Sequence, residues 1–266
     1  MKSSNQNTSD FLDILARDSK EAVDEGYYDN PAEIEGFPLS LKAAIIKSKH
    51  APIIAEIKAA SPSLGTIRLR VDVKEIALAM KRGGAAGISV LTMKKHFAGS
   101  LDSLEEVRRH LPLPSLMKDI VVSRRQIDAA SKVGASAVLL MKALFDRGYC
   151  EDSISELISY AKSKGLEVLL ETHTEDEFSS SLETDADLVG INNRDLRTLK
   201  VDIHVTRRIL KNVDPGERIV VSESGMNAPE DICLLHEAGA DAFLVGSAIM
   251  GSENIQEKVK TLVKAI

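Results

Sequence analysis

A chain of 266 residues that is 44% hydrophobic has the material for one large α/β domain or two small ones. With no Trp and only 4% aromatics, its core has to be built from Leu, Ile, Val, Ala and Met. The formal charge of −6 argues against a general nucleic-acid binder; Cys150 and Cys233, isolated and without metal-ligand spacing, fit a reducing compartment rather than a disulfide scaffold.

Residues 1–8 read as disordered, and Met1 to Asp10 lacks the apolar stretch of a signal peptide. No apolar run approaches the ~20 residues of a membrane-spanning helix, so a cytoplasmic protein without membrane partners is expected. Phe11, Leu12, Ile14, Leu15 and Ala22 space as one helix face, with Ser9-Asp10 as N-cap. Tyr27 to Pro38 reads as a loop and Ser40 to Lys49 as a second helix. Together they suggest an N-terminal helical extension over residues 1–50, packed on a domain of residues 51–266.

From Pro52 a rhythm sets in. Apolar, β-branched runs end near Lys58, Thr92, Lys118, Met141, Glu171, Asn192, Glu223 and Gly246, at intervals of 21 to 34 residues. Helical patterns fill the gaps, among them Val73 to Gly83, Arg124 to Gly134, Glu151 to Gly165 and Pro229 to Gly239. Several stop at a glycine followed by a small residue and the next strand, as in Gly134-Ala-Ser-Ala and Gly239-Ala-Asp-Ala. Eight strands alternating with helices imply a parallel sheet, and this count over the span predicts an α/β fold, a single closed (β/α)8 TIM barrel, in preference to an open doubly wound sheet.

A barrel of this kind carries its active site at the C-terminal strand ends. In the run Ile54-Ala-Glu-Ile-Lys58, alternation sends Ile54, Glu56 and Lys58 to one face, which puts an acid and a base on a buried surface just before Ser61-Pro-Ser-Leu-Gly65 breaks the strand into a loop. The other strand ends add Lys118, Glu171, Asn192 with Arg194 just beyond, and Glu223 with Ser224. Any one of them could be a solvated terminus or a structural ion pair; their convergence on one mouth is what packing does not explain. Ser222-Glu-Ser-Gly225 and Val245-Gly-Ser247 supply small residues with free backbone N–H groups after the seventh and eighth strands, where barrels bind phosphate. His173 has no second histidine at ligand spacing, which makes it a structural residue rather than part of a metal site. Charge-rich segments such as Glu105-Glu-Val-Arg-Arg109 read as solvated helix faces, and Met117 and Met141 as core.

These residues resemble the indole-3-glycerol phosphate synthase family. The resemblance rests on Ile54-Ala-Glu-Ile-Lys58 with Ser61-Pro-Ser63, Ser89-Val-Leu-Thr92 with Phe97 and Gly99-Ser100, Met117-Lys-Asp119, Glu171, Gly190-Ile-Asn-Asn-Arg-Asp-Leu196, Ser222-Glu-Ser-Gly225 and Leu244-Val-Gly-Ser247. It runs in order from about Phe11 to the C-terminus. It implies closure of 1-(2-carboxyphenylamino)-1-deoxyribulose 5-phosphate to indole-3-glycerol phosphate, with loss of carbon dioxide and then water. It implies Lys118 as general acid in ring closure, Glu171 in the dehydration, Lys58 between the substrate carboxylate and later proton transfers, and Glu56 positioning both lysines. Asn192 and Glu223 would bond substrate hydroxyls or neighbouring catalytic groups, with Ser224 beside them. Arg194, Gly225, Gly246 and Ser247 match the phosphate end, with Ser61 near it, and Phe97 would cover the aromatic ring. Rearomatisation drives such a decarboxylation, so no cofactor or metal is expected; a phosphorylated small molecule is the expected partner, and the chain is expected to be monofunctional and monomeric.

The sequence departs from the family pattern at Met93, where an acid is usual, at Ala59 and Leu64, where bases are common, and at Ile120, where Phe is usual. The competing readings are another phosphate-binding barrel enzyme, such as phosphoribosylanthranilate isomerase or a sugar-phosphate epimerase, and a non-catalytic barrel that binds a phosphorylated ligand.

Overall fold

The structure, a computed structural model, describes residues 10–34, 36, 38–61, 65–67 and 72–266; the expectations for residues 1–8, Ser9 and Leu64 lie outside them. Eight parallel strands form a closed barrel: β1 (Ile53–Ile57), β2 (Gly87–Leu91), β3 (Ser115–Lys118), β4 (Ala137–Met141), β5 (Glu167–Thr172), β6 (Leu188–Asn192), β7 (Val220–Glu223) and β8 (Ala242–Val245). Each strand pairs with its sequence neighbours, and β8 returns to β1 with Ile54 opposite Leu244 and Ala55 opposite Val245. The expected barrel is the observed one.

Helices fill the crossovers at Val73–Arg82, Leu101–His110, Arg124–Lys132, Ile154–Ser163, Glu175–Leu182, His204–Asn212, Pro229–Glu237 and Ile255–Val263. Short polar side chains start most of them: Asp72, Ser100, Ser153, Thr174 and Asn254 each accept the N–H three residues on, satisfying a donor the helix itself cannot pair. Gly134 and Gly239 end theirs at φ of 71° and 105°, a conformation that costs a side-chain-bearing residue. Two short helices, Lys142–Asp146 after β4 and Ser247–Met250 after β8, add to the simple alternation. A small antiparallel pair, Ala60–Ser61 with Gly65–Thr66, stands where the sequence suggests only a loop.

Two helices precede β1 and hold opposite ends of the barrel. Helix α1 (Phe11–Asp24), opened by a capping box at Asp10, buries Leu12, Leu15, Ala16, Ser19 and Val23. Ser19 Oγ donates to the Ile120 carbonyl at 2.5 Å, just beyond the C-terminal end of β3, so α1 borders the mouth. Helix α2 (Leu41–Lys47) sits at the other end. The Glu167 carboxylate at the start of β5 accepts the Leu41 and Lys42 N–H groups at 2.8 and 3.0 Å, an anion at a helix N-terminus. Among the described residues, no helix is long and apolar enough to cross a membrane.

Candidate active site

The barrel interior explains where the charges go. On β1, β3, β5 and β7, Ile54, Leu116, Leu169 and Val221 are completely buried; two residues further along each strand, in the same phase, stand Glu56, Lys118, Glu171 and Glu223. Alternate strands of such a barrel contribute side chains to a common layer. The layer at the mouth is therefore built from three carboxylates and an ammonium, above one made entirely of aliphatic groups.

Lys118 organises it. Its Nζ lies 3.0 Å from Glu171 Oε2 and 3.2 Å from Glu223 Oε2, and both carboxylates are 1% exposed. Burial alone would lower the lysine's pKa; Glu171, Glu223 and Glu56 outweigh it and hold the ammonium well above its ordinary range. Burial likewise favours the acid form of Glu171, yet Lys118, His173 and a hydrogen bond from Asn192 keep it ionised, below the usual carboxylate range. Glu223 goes the other way: burial, opposed by Lys118 and reinforced by neighbouring Glu171, pushes it up to about 8. Two adjacent carboxylates around one ammonium thus divide into an anion and an acid.

Beside this trio, Glu56 Oε1 pairs with Lys58 Nζ at 2.8 Å. Gly246 is small for this pair: a Cβ there would run into Glu56 Oε1 and stand 3.1 Å from Lys58 Nζ. On the far side of β7, Ser224 and Gly225 both take left-handed backbone, at φ of 67° and 90°. The turn is held by Asn193, whose Nδ2 donates to the Ser222 hydroxyl at 3.1 Å and the Ser224 carbonyl at 3.0 Å, while its Oδ1 accepts from Thr206. Arg194 is anchored by its own N–H to Asn192 Oδ1 at 2.9 Å and by Nη1 to the Leu199 carbonyl at 3.1 Å; burial lowers its pKa.

One cavity of about 580 Å³ collects these groups. Glu56, Lys58, Lys118, Glu171, Asn192 and Arg194 line its polar side, and Ser224, Gly225, Gly246 and Ser247 close another. Leu15, Leu91, Met93, Phe97, Ile120, Leu139 and Met141 make an apolar wall. Charged groups together with a broad apolar lining suit an aromatic, anionic molecule. Among the described residues, no group of three or more His, Cys, Asp or Glu could hold a metal ion.

The model of indole-3-glycerol phosphate synthase matches residues 13–262 of the chain. The chain belongs to the indole-3-glycerol phosphate synthase family. A synthase of that name from Methanocaldococcus jannaschii is 45% identical over 229 residues, 85% of this chain and 83% of its own length. One from Pyrococcus furiosus is 40% identical over 228 residues, covering 85% and 97% of the two chains. Among solved structures, thiamine phosphate pyrophosphorylase from Pyrococcus furiosus superposes with a TM-score of 0.58 at 18% identity, covering 83% of this chain and 96% of that one. The N-acetylmannosamine-6-phosphate 2-epimerase of Clostridium perfringens does so with a TM-score of 0.58 at 16% identity, covering 82% and 93%. Those two share the fold.

Of the residues expected in the synthase site, the cavity gathers Glu56, Lys58, Phe97, Lys118, Glu171, Asn192, Arg194, Ser224, Gly225, Gly246 and Ser247. Glu223 is behind Lys118 rather than on the cavity wall, so its partner is the lysine. Ser61 falls in the short antiparallel pair after β1. Of the positions that depart from the synthase pattern, Met93 and Ile120 are both in the apolar wall, and Ala59 is half-buried just after β1.

Three residues near the site make contacts that were not read from the sequence. Asp119 follows Lys118 out of phase and is buried; it accepts from Thr92 Oγ1, from Tyr28 OH at 2.9 Å and from the Ile120 N–H at 2.7 Å, and burial outweighs these bonds to raise its pKa. Tyr28 comes from the stretch read as a loop, and burial raises its pKa strongly. The signal available was the pair Tyr27-Tyr28, half of the chain's four tyrosines, in an otherwise polar segment. His173, set aside as structural, stands against Glu171.

Proposed function

We propose that the protein is a carbon–carbon lyase (a carboxy-lyase) that closes 1-(2-carboxyphenylamino)-1-deoxyribulose 5-phosphate to indole-3-glycerol phosphate in tryptophan biosynthesis. The observation that carries this reading is Lys118 Nζ held between Glu171 and Glu223 in a cavity lined by both charged and apolar side chains.

Ring closure needs a proton on the ketone oxygen as the ring carbon bearing the carboxylate attacks the ketone carbon. The C=O π pair becomes an O–H bond, and Lys118 Nζ supplies the proton. Losing that proton beside two carboxylate charges would be costly; a protonated Glu223 leaves one charge opposite the amine instead of two. Loss of carbon dioxide returns the bonding pair to the ring and restores aromaticity. Dehydration then needs an acid for the departing hydroxyl and a base for the adjacent carbon's proton. Glu171, buried and ionised, and Lys58, fixed by Glu56, serve these steps.

The phosphate is assigned to the Ser224–Gly225 turn and the Gly246–Ser247 segment, whose N–H groups open the helix Ser247–Met250, with Arg194 nearby. The aromatic ring lies against Phe97, Ile120 and Met93. The protein acts in the cytoplasm as a monomer. The test is to supply this substrate and follow carbon dioxide release together with indole formation. Carbon dioxide and indole-3-glycerol phosphate formed in equal amounts support the assignment. Tight, phosphate-dependent binding with no release would instead make the barrel a phospholigand binder.

A further inference from the structure

Glu171 is buried, and a buried group that ends a turnover with its proton count changed needs a partner through which to reset it. Its two oxygens face different ways. Oε2 is held by Lys118, and Oε1 lies 3.4 Å from His173 Nε2. His173 Nε2 is buried and makes no hydrogen bond within the protein. The other ring nitrogen, Nδ1, is 3.6 Å from Glu177 Oε2, and the Glu177 side chain is 18% exposed. Glu177 is fixed in turn, since the same Oε2 accepts the His173 backbone N–H at 2.7 Å. Glu171, His173 and Glu177 therefore form a row from the buried carboxylate to solvent.

We propose that His173, with Glu177 behind it, is a proton relay and positioning pair for Glu171, resting on the ring-closure reading of the site. When Glu171 has taken a proton at Oε1, that O–H breaks and an N–H forms at Nε2. The imidazolium so made loses its Nδ1 proton to Glu177 and thence to water. The net transfer is one proton, and the starting tautomer, with Nε2 free to accept, is restored when the imidazole flips about its Cβ–Cγ bond and turns its N–H towards Glu177. The separations of 3.4 and 3.6 Å are slightly long for hydrogen bonds, and catalytic hydrogen bonds commonly tighten when substrate closes a site. The charged groups facing the row are Lys118 and Glu223 next to Glu171, and Lys142, which acts on Glu177; Asn192 donates to Glu171 from β6.

The experiment is steady-state indole formation by wild type, His173→Ala and Glu177→Gln, with and without added imidazole. His173→Ala should lose about tenfold or more in kcat with KM little changed, as expected for a lost proton-transfer group. Imidazole should restore part of that loss. Glu177→Gln keeps an oxygen for the His173 N–H and should lower kcat in the same direction, which covers the case in which His173→Ala weakens the fold. A folded His173→Ala with wild-type kcat, or a deficit that imidazole leaves untouched, overturns the relay while leaving the ring-closure assignment intact. A wild type that forms no indole overturns the site assignment and the relay with it.

Discussion

Replacing Lys118 with Met takes the ammonium from between Glu171 and Glu223 while keeping much of the side-chain volume. Both carboxylates stay 1% exposed, and neither has another ammonium within ion-pairing distance among the described residues. Removing one partner of a buried pair typically costs ~3–5 kcal/mol. Asn192 and His173 still support Glu171, so the lower end, about 3 kcal/mol, is expected. For a chain of this size that corresponds to a fall in Tm of roughly 6–12 °C. The loss should depend on pH. Without Lys118, both carboxylates take folded-state pKa values above those of the unfolded chain, the direction burial and Glu171 already impose on Glu223. Below the unfolded value both states are protonated and the penalty vanishes; stability falls as pH rises through the folded values. Wild type, in turn, keeps the stability of its ionised Glu171 until pH falls towards that group's lowered pKa, so thermal unfolding of wild type and Lys118→Met should be furthest apart above about pH 8 and draw together only at about pH 3. A deficit of the same size at both pH values would refute the electrostatic reasoning, and a variant as stable as wild type at high pH would refute the pairing itself.

Glu56→Gln leaves Lys58 without its 2.8 Å partner and should lower kcat by about tenfold or more with little change in Tm, checked by steady-state kinetics and thermal unfolding. If Glu223 works as an acid that relieves charge beside Lys118, activity should decline as pH rises past about 8, and Glu223→Gln should flatten that limb of the kcat profile. Ile120→Phe puts a flat ring into the apolar wall and should change substrate KM while ring closure persists; identical KM would remove Ile120 from the substrate's surroundings.

The barrel was legible because its sequence repeats one physical pattern: buried strands with side chains in two phases, punctuated by helices that stop at glycine. Phase also exposed most of the site, since Glu56, Lys118, Glu171 and Glu223 each stand two residues beyond a buried aliphatic. What phase does not carry is partnership. That Lys118 meets both Glu171 and Glu223, and that Glu223 becomes an acid while Glu171 stays ionised, follows from barrel closure bringing β3, β5 and β7 into one layer. Asp119, quoted only as part of a motif, was not read as a contact residue because it stands out of phase with Lys118 and meets a tyrosine 91 positions earlier. The contact of His173 with Glu171 is not legible in sequence because it depends on which oxygen of Glu171 Lys118 leaves uncovered. The helices before β1 were legible as helices, but their opposite placements, α1 at the mouth and α2 at Glu167, involve long-range polar contacts that no periodicity reports.

The central claim is that Lys118 delivers the proton that closes the ring. The most direct measurement is the growth of indole fluorescence after substrate is added to wild type and to Lys118→Ala, in a chain whose lack of Trp keeps the background low. The account predicts steady growth in wild type and none above background in the variant, with the variant still folded and still binding substrate. Growth at a near wild-type rate in Lys118→Ala would contradict it.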